Sequence, residues 1–110
     1  NKQNRKGTAP AKSSSQKEFY VTATAYSHED SKTGRTATGI NIKANPNMKL
    51  IAVDPSVIPL GSRVWVEGYG EALAADTGGA IKGYKIDVLM PSNKHALQWG
   101  RRTVKVIVLN

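Results

Sequence analysis

Cysteine is absent from the 110 residues, which excludes disulfides, thiolate metal sites and a cysteine nucleophile. No apolar run approaches the ~20 residues of a membrane-spanning helix, and no signal-peptide-like apolar segment is present. Membrane insertion is therefore not expected. From Asn1 to Lys17 the chain reads NKQNRKGTAPAKSSSQK, without an acid, an aromatic or a large aliphatic side chain. Such a segment has nothing to bury and is expected to be a disordered basic linker. Residues 18–110 then form one domain with a single modest core.

The formal net charge is +8, from 16 basic and 8 acidic residues. Five of the basic residues lie in positions 1–17, which leaves eleven against eight in the folded part. A nucleic-acid-binding domain concentrates Lys and Arg on a structured face with aromatics between them. The near balance here disfavours nucleic acid as a partner. The charged tail suits a spacer with weak attraction to an anionic wall polymer.

Strand signals run through the rest of the chain. In FYVTATAYS, Phe19 to Ser27, Tyr20, Thr22, Thr24 and Tyr26 alternate with Phe19, Val21, Ala23 and Ala25, the period-2 pattern of a strand. His28 to Asn47 is a polar loop carrying Thr38-Gly39, of the kind that often holds binding residues. His28-Glu29-Asp30 offers three metal-capable side chains. Adjacent residues point in different directions and no second ligand pair follows at helical spacing, so no metal site is expected.

Strands are expected over Lys49 to Asp54, Arg63 to Glu67 and Thr103 to Leu109, with turns at Asp54-Pro55-Ser56 and Gly68-Tyr69-Gly70. Ser92 to Gly100 reads as a short helix with Ser92 as N-cap and Gly100 as terminator, and His95 on it as a surface residue. About six or seven strands and one short helix make an all-β barrel or sandwich.

The densest stretch is Ala74 to Leu89, AADTGGAIKGYKIDVL. Asp76 and Asp87 stand at opposite ends of a turn in which Gly78, Gly79 and Gly83 are expected to supply positive φ. Asp87 alternates with Ile86 and Val88, so it belongs on the opposite face of its strand. Aspartate is depleted in strands. Asp87 is either a solvent-face residue or a site residue. Shifting the chain by 22 residues lays Ala52-Val53-Asp54 on Ala74-Ala75-Asp76, Gly61 on Gly83, Val64 on Ile86 and Trp65 on Asp87. Two similar strand–turn–strand units point to a barrel of duplicated halves.

The runs IAVDPSVIPLGSRVWVEGYG, AADTGGAIKGYKIDV and WGRRTVKV closely resemble the 3D domain, named for three aspartates, of the stationary-phase survival proteins of Gram-positive bacteria. They are also similar to the C-terminal part of the MltA lytic transglycosylases. The resemblance covers roughly Phe19 to Leu109. It implies a small double-psi β-barrel, an extracellular, wall-associated protein, and cleavage of peptidoglycan glycan strands without hydrolysis or a cofactor. Asp54, Asp76 and Asp87 match the three aspartates, with Asp87 at the position of the catalytic acid and Asp76 at that of its neighbour. Tyr26 and Thr38-Gly39 match further positions near the cleft. The large extra domain of MltA has no counterpart here.

The implied chemistry suits these residues. A lytic transglycosylase needs no activated water, because the muramic-acid 6-hydroxyl attacks its own anomeric carbon and closes a 1,6-anhydro ring. One carboxyl serves first as acid and then as base. It must hold its proton near neutral pH, through burial or a neighbouring negative charge. Asp87 between Ile86 and Val88, with Asp76 nearby, offers both devices, and Lys82 or Lys85 would oppose them at close range.

Thr77 and the Gly78-Gly79 amides are placed to bond an N-acetyl or hydroxyl group, and Lys82 is grouped with them as a substrate contact. Asp54 before Pro55-Ser56 either contacts substrate or, the favoured role, ties a turn. Trp65, Tyr69 and Tyr84 either stack on sugars or fill the core. The competing class is a non-catalytic glycan-binding module. A strand-exchanged dimer is open to so small a barrel.

Overall fold

A computed structural model of the chain describes residues 17–30 and 34–109. Six strands form a closed barrel in the order β1-β5-β2-β4-β3-β6. They are β1 (Glu18–Ser27), β2 (Leu50–Ala52), β3 (Arg63–Val66), β4 (Gly70–Asp76), β5 (Lys85–Met90) and β6 (Arg102–Val108), and one α-helix, α1 (Asn93–Trp99), precedes the last strand. This is the small all-β barrel expected, at the lower of the two strand counts. The basic segment 1–17 lies outside the described residues except for Lys17, whose carbonyl accepts from Val108 N–H at 2.9 Å.

Two pairings are parallel, β1 with β5 and β2 with β4, and the other four are antiparallel. The duplication read from the 22-residue shift is visible in this layout. β2 and β4 lie side by side, β3 pairs with β4, and β5 pairs with β2. Exchanging the two units maps these four strands onto themselves. The equivalent glycines Gly61 and Gly83 both take positive φ, 93° and 70°, where a side chain would be strained. Gly78 and Gly79 do not, contrary to expectation. Gly78 serves a close approach instead, because a Cβ there would lie 3.0 Å from Ile81 Cγ1 and the isoleucine would have to shift.

Strict alternation fills the barrel. Val21 and Ala23 from β1, Ile51 from β2, Val64 and Val66 from β3, Ala72 and Ala74 from β4, Ile86 and Val88 from β5, and Val104 and Val106 from β6 are buried in one cluster. Trp99 joins it from the end of α1 and donates through Nε1 to Ala23 O at 3.3 Å. The helix starts and stops where the sequence indicates. Ser92 caps it by accepting from His95 N–H, and Gly100 ends it at φ 68°. His95, expected as a plain surface residue, has its Nδ1 2.8 Å from Ser92 Oγ, since the cap folds the two side chains together.

A second, smaller cluster covers part of the outside of the sheet. Ile42 from the 34–47 loop is buried against Leu50, Ala75 and Leu89, with Tyr26, Ile40 and Leu73 at its margin. This explains why all three residues of β2 are buried: one face looks into the barrel and the other lies under the loop. Burying Ile42 contributes about 2 kcal/mol of apolar transfer energy, so the loop is anchored by packing.

Candidate active site

Asp87 is half-buried on β5 while Ile86 and Val88 on either side are fully buried. Its side chain therefore leaves the barrel on the outer face, beside the second cluster. Parallel pairing sets Thr24 of β1 directly opposite, and Thr24 Oγ1 lies 2.9 Å from Asp87 Oδ1. On its other side Asp87 is the register partner of Ala52.

Asp76 reaches the same face by an irregularity. Leu50 pairs with Leu73 and Ile51 with Ala74, but Ala52 pairs with Asp76, so Ala75 is an extra residue in β4. In a regular ladder Ala75 would oppose Ala52, and Asp76 would point into the barrel. The bulge turns it outward. Register partners share a face, so Asp76, Ala52 and Asp87 stand in a row across β4, β2 and β5. The two aspartate backbones are two strand spacings apart, roughly 9–10 Å.

Protein donors hold the Asp76 carboxylate. Oδ1 accepts from Ala37 N–H at 2.9 Å and Thr77 N–H at 2.8 Å, and Oδ2 accepts from Tyr26 O–H at 3.2 Å. Three of its roughly four acceptor positions are thus taken. Tyr26 crosses the row from β1. Burial first, and then the charge of Asp76, its hydrogen bond and the charge of Asp87, push the phenol well above the ordinary tyrosine value. One side chain therefore feels both aspartates.

The other residues singled out from the sequence divide into three groups. Thr38 and Gly39 belong to the loop wall. Thr38 Oγ1 donates to Ala75 O at 2.8 Å, directly behind the bulge, and Gly39 N–H donates to Thr36 O at 2.9 Å. They hold the turn that brings Ala37 N–H onto Asp76. Thr77 and Gly79 are exposed and Gly78 is half-buried, all in the loop leaving Asp76.

Asp54 stands apart. Its Oδ1 accepts from Ser56 N–H and Ser56 O–H at 3.0 and 2.8 Å, and its Oδ2 accepts from Gly83 N–H at 2.7 Å. These bonds, Gly83 foremost, with a smaller contribution from the Lys82 charge, hold its carboxyl down to about 2. These three bonds tie the Asp54–Ser56 turn to Gly83. Lys82 is exposed, and its charge acts on Asp54.

Among the aromatics, Trp65 and Tyr69 are buried core, with Tyr69 O–H donating to Leu89 O at 2.7 Å. Tyr84 is 63% exposed and meets Phe19 edge-on. No group of three or more His, Asp or Glu side chains that could hold a metal occurs among the described residues. Two partners of the aspartates were not singled out from the sequence, Thr24 and the Ala37 amide. Thr24 is legible as an outward strand residue, but only the parallel β1–β5 pairing sets it against Asp87.

A family model described as the 3D domain matches residues 49–110. The chain belongs to the 3D domain family. The matched segment of the 3D domain contains Asp54, Asp76 and Asp87, and runs from β2 through β6. β1 and the loop wall, which carry Tyr26, Thr24 and Thr38, lie before it.

Two relatives of this 3D domain come from Bacillus subtilis (strain 168). The cell wall-binding protein YocH is 66% identical over 95 residues, which are 86% of this chain and 33% of that protein. The putative cell wall shaping protein YabE is 62% identical over 91 residues, 82% of this chain and 22% of that protein. The chain spans a third or less of the length of either. The crystal structure of MltA from E. coli superposes with a TM-score of 0.55 at 26% identity, covering 69% of this chain and 27% of that chain.

Proposed function

We propose that this 3D domain is a peptidoglycan lytic transglycosylase. It would cleave the MurNAc–GlcNAc β-1,4 bond and leave a 1,6-anhydromuramyl end. The observation that carries this is the row Asp76–Ala52–Asp87 on one outward face, with Tyr26 hydrogen-bonded to Asp76 from β1. The likeness to MltA and the cell-wall names of the relatives support the same substrate. They also support a wall-associated location outside the cell.

Asp87 acts as the acid. It protonates the glycosidic oxygen, the C1–O bond breaks with its electron pair going to that oxygen, and positive charge develops at C1. The 6-hydroxyl of the same sugar then bonds to C1 and gives its proton to Asp87, which returns to its starting state. Water takes no part. Asp76 is suited to stabilising positive charge rather than activating water, because Ala37, Thr77 and Tyr26 already donate to it. A hydrolase needs a second carboxylate aimed at water or at carbon.

Digestion of purified peptidoglycan in heavy-oxygen water tests the proposal. The expected products carry an unlabelled end one water lighter than the hydrolytic one, and a chelator leaves the rate unchanged. Labelled reducing ends would make the domain a hydrolase with Asp87 still its acid. The description of YocH as a cell wall-binding protein favours a second reading, a non-catalytic wall-binding module. Glycan binding without any cleavage would establish it.

A further inference from the structure

We propose that Thr24 is the positioning residue for Asp87, fixing Oδ1 as a hydrogen-bond acceptor and so assigning the exchangeable proton to Oδ2. This rests on the transglycosylase reading and goes beyond it, since Thr24 lies outside the segment that the family model matches. Thr24 and Asp87 are direct partners in the parallel β1–β5 register. The hydroxyl oxygen is 2.9 Å from Asp87 Oδ1 and 3.3 Å from Ile86 O. Ile86 O can only accept, the ionised carboxyl can only accept, and the shorter contact of the hydroxyl is to the carboxyl.

A carboxyl that works as acid and then base must keep one geometry through both protonation states. An unrestrained acid can carry its proton on either oxygen and can rotate between them. Thr24 removes that freedom. Oδ1 accepts the Thr24 proton when Asp87 is ionised, and also when Asp87 is the neutral acid and Oδ1 is its carbonyl oxygen. The proton given to the glycosidic oxygen then leaves Oδ2, and the proton taken from the 6-hydroxyl returns to Oδ2. No proton passes through Thr24. It is β-branched on a strand, with its χ1 restricted, which makes it a stiff holder.

Charged or titratable side chains near this carboxyl in the fold include Asp76 on β4, Tyr26 on β1 and Lys85 on β5 itself, while α1, packed against β1 and β5, carries Lys94 and His95. All of these remain in a Thr24→Val variant, which keeps the branched shape and loses only the hydroxyl. A hydrogen bond to a charged acceptor is stronger than one to its neutral form, so its loss should raise the titration midpoint of Asp87.

The test compares wild type, Thr24→Val and Thr24→Ser by kinetics on peptidoglycan strands and by NMR titration of carbon-13-labelled aspartate carboxyls. Thr24→Val is expected to lower kcat about tenfold or more with KM nearly unchanged, as for a misplaced reacting group. The Asp87 midpoint should move upward, and Thr24→Ser should restore both. An active wild type whose kcat and Asp87 titration ignore Thr24→Val would overturn the role of Thr24 alone. So would a Thr24→Ser variant no better than Thr24→Val. A wild type that cleaves nothing would overturn the transglycosylase reading and with it the part of Thr24 in the reaction, and the titration would still report whether the Thr24–Asp87 bond exists.

Discussion

Asp76 and Asp87, eleven positions apart in the chain, are both register partners of the same residue, Ala52. Only the extra residue Ala75 puts them on one face. The proposed chemistry therefore depends on a one-residue irregularity in β4 as much as on the acids themselves.

Asp87→Asn is expected to abolish measurable muralytic turnover. The amide keeps the shape and can still accept from Thr24, but it cannot cycle a proton, at a cost of about two or more orders of magnitude. The melting temperature should stay within a few degrees of wild type. A folded Asp87→Asn variant with wild-type rates would remove Asp87 from the mechanism.

Asp76→Asn should cost both stability and activity. Three donors converge on that carboxylate, and an amide offers them one acceptor oxygen in place of two and no charge, a loss of about 1–3 kcal/mol. Tyr26→Phe removes a single donor and should be milder, about 1 kcal/mol. Chemical denaturation of the two variants would check the ranking, and equal losses would mean that the amides of Ala37 and Thr77 do not hold Asp76.

Stability should fall on the alkaline side, beginning near the ordinary tyrosine value of 10.0. Tyr26 and Tyr69 are both raised above it, with burial the largest cause in each. Above that pH the unfolded chain releases these protons while the folded one keeps them, so unfolding becomes easier as pH rises. Tyr26→Phe should flatten the slope. Melting curves across this range decide it, and a variant with the wild-type slope would show that Tyr26 is not the group responsible.

Asp54 governs the acid side. Its carboxyl is lowered from an ordinary 3.8 to about 2. It therefore contributes stability above roughly pH 4 that is lost as pH falls through about 2. Asp54→Ala should lower the melting temperature, flatten the acid slope and speed hydrogen exchange at the Gly83 amide, while the cleavage products stay the same in kind. Unchanged exchange at Gly83 would mean that the 2.7 Å bond does not persist in solution.

Much of this was legible in the sequence. Alternation marked β1 and β5, strands were legible at β2, β3 and β6, capping residues marked α1, and the 22-residue shift marked the two equivalent turns. The bulge was not legible, because Ala74 and Ala75 are the same residue and nothing in their identity says which one is extra. The Thr24–Asp87 pairing was hidden for a different reason. Parallel neighbours are joined through long connections, and 63 residues separate these two. Gly78 departs from expectation because glycine serves close packing as well as positive φ, and nothing in the structure explains Gly79.

The tie from Asp54 to Gly83 joins the first repeat to the second, and Gly83 lies four residues ahead of Asp87. The halves have taken different trades at the same position: Asp54 is a clasp, while its twin Asp76 stands on the outward face with Asp87. Slack in the first turn would reach the acid as misalignment, carried by a backbone amide and no side chain of the cleft. Changes at residues 54–61 should thus act as a tuning peg for the proposed site, altering rate from outside the row of Asp76 and Asp87.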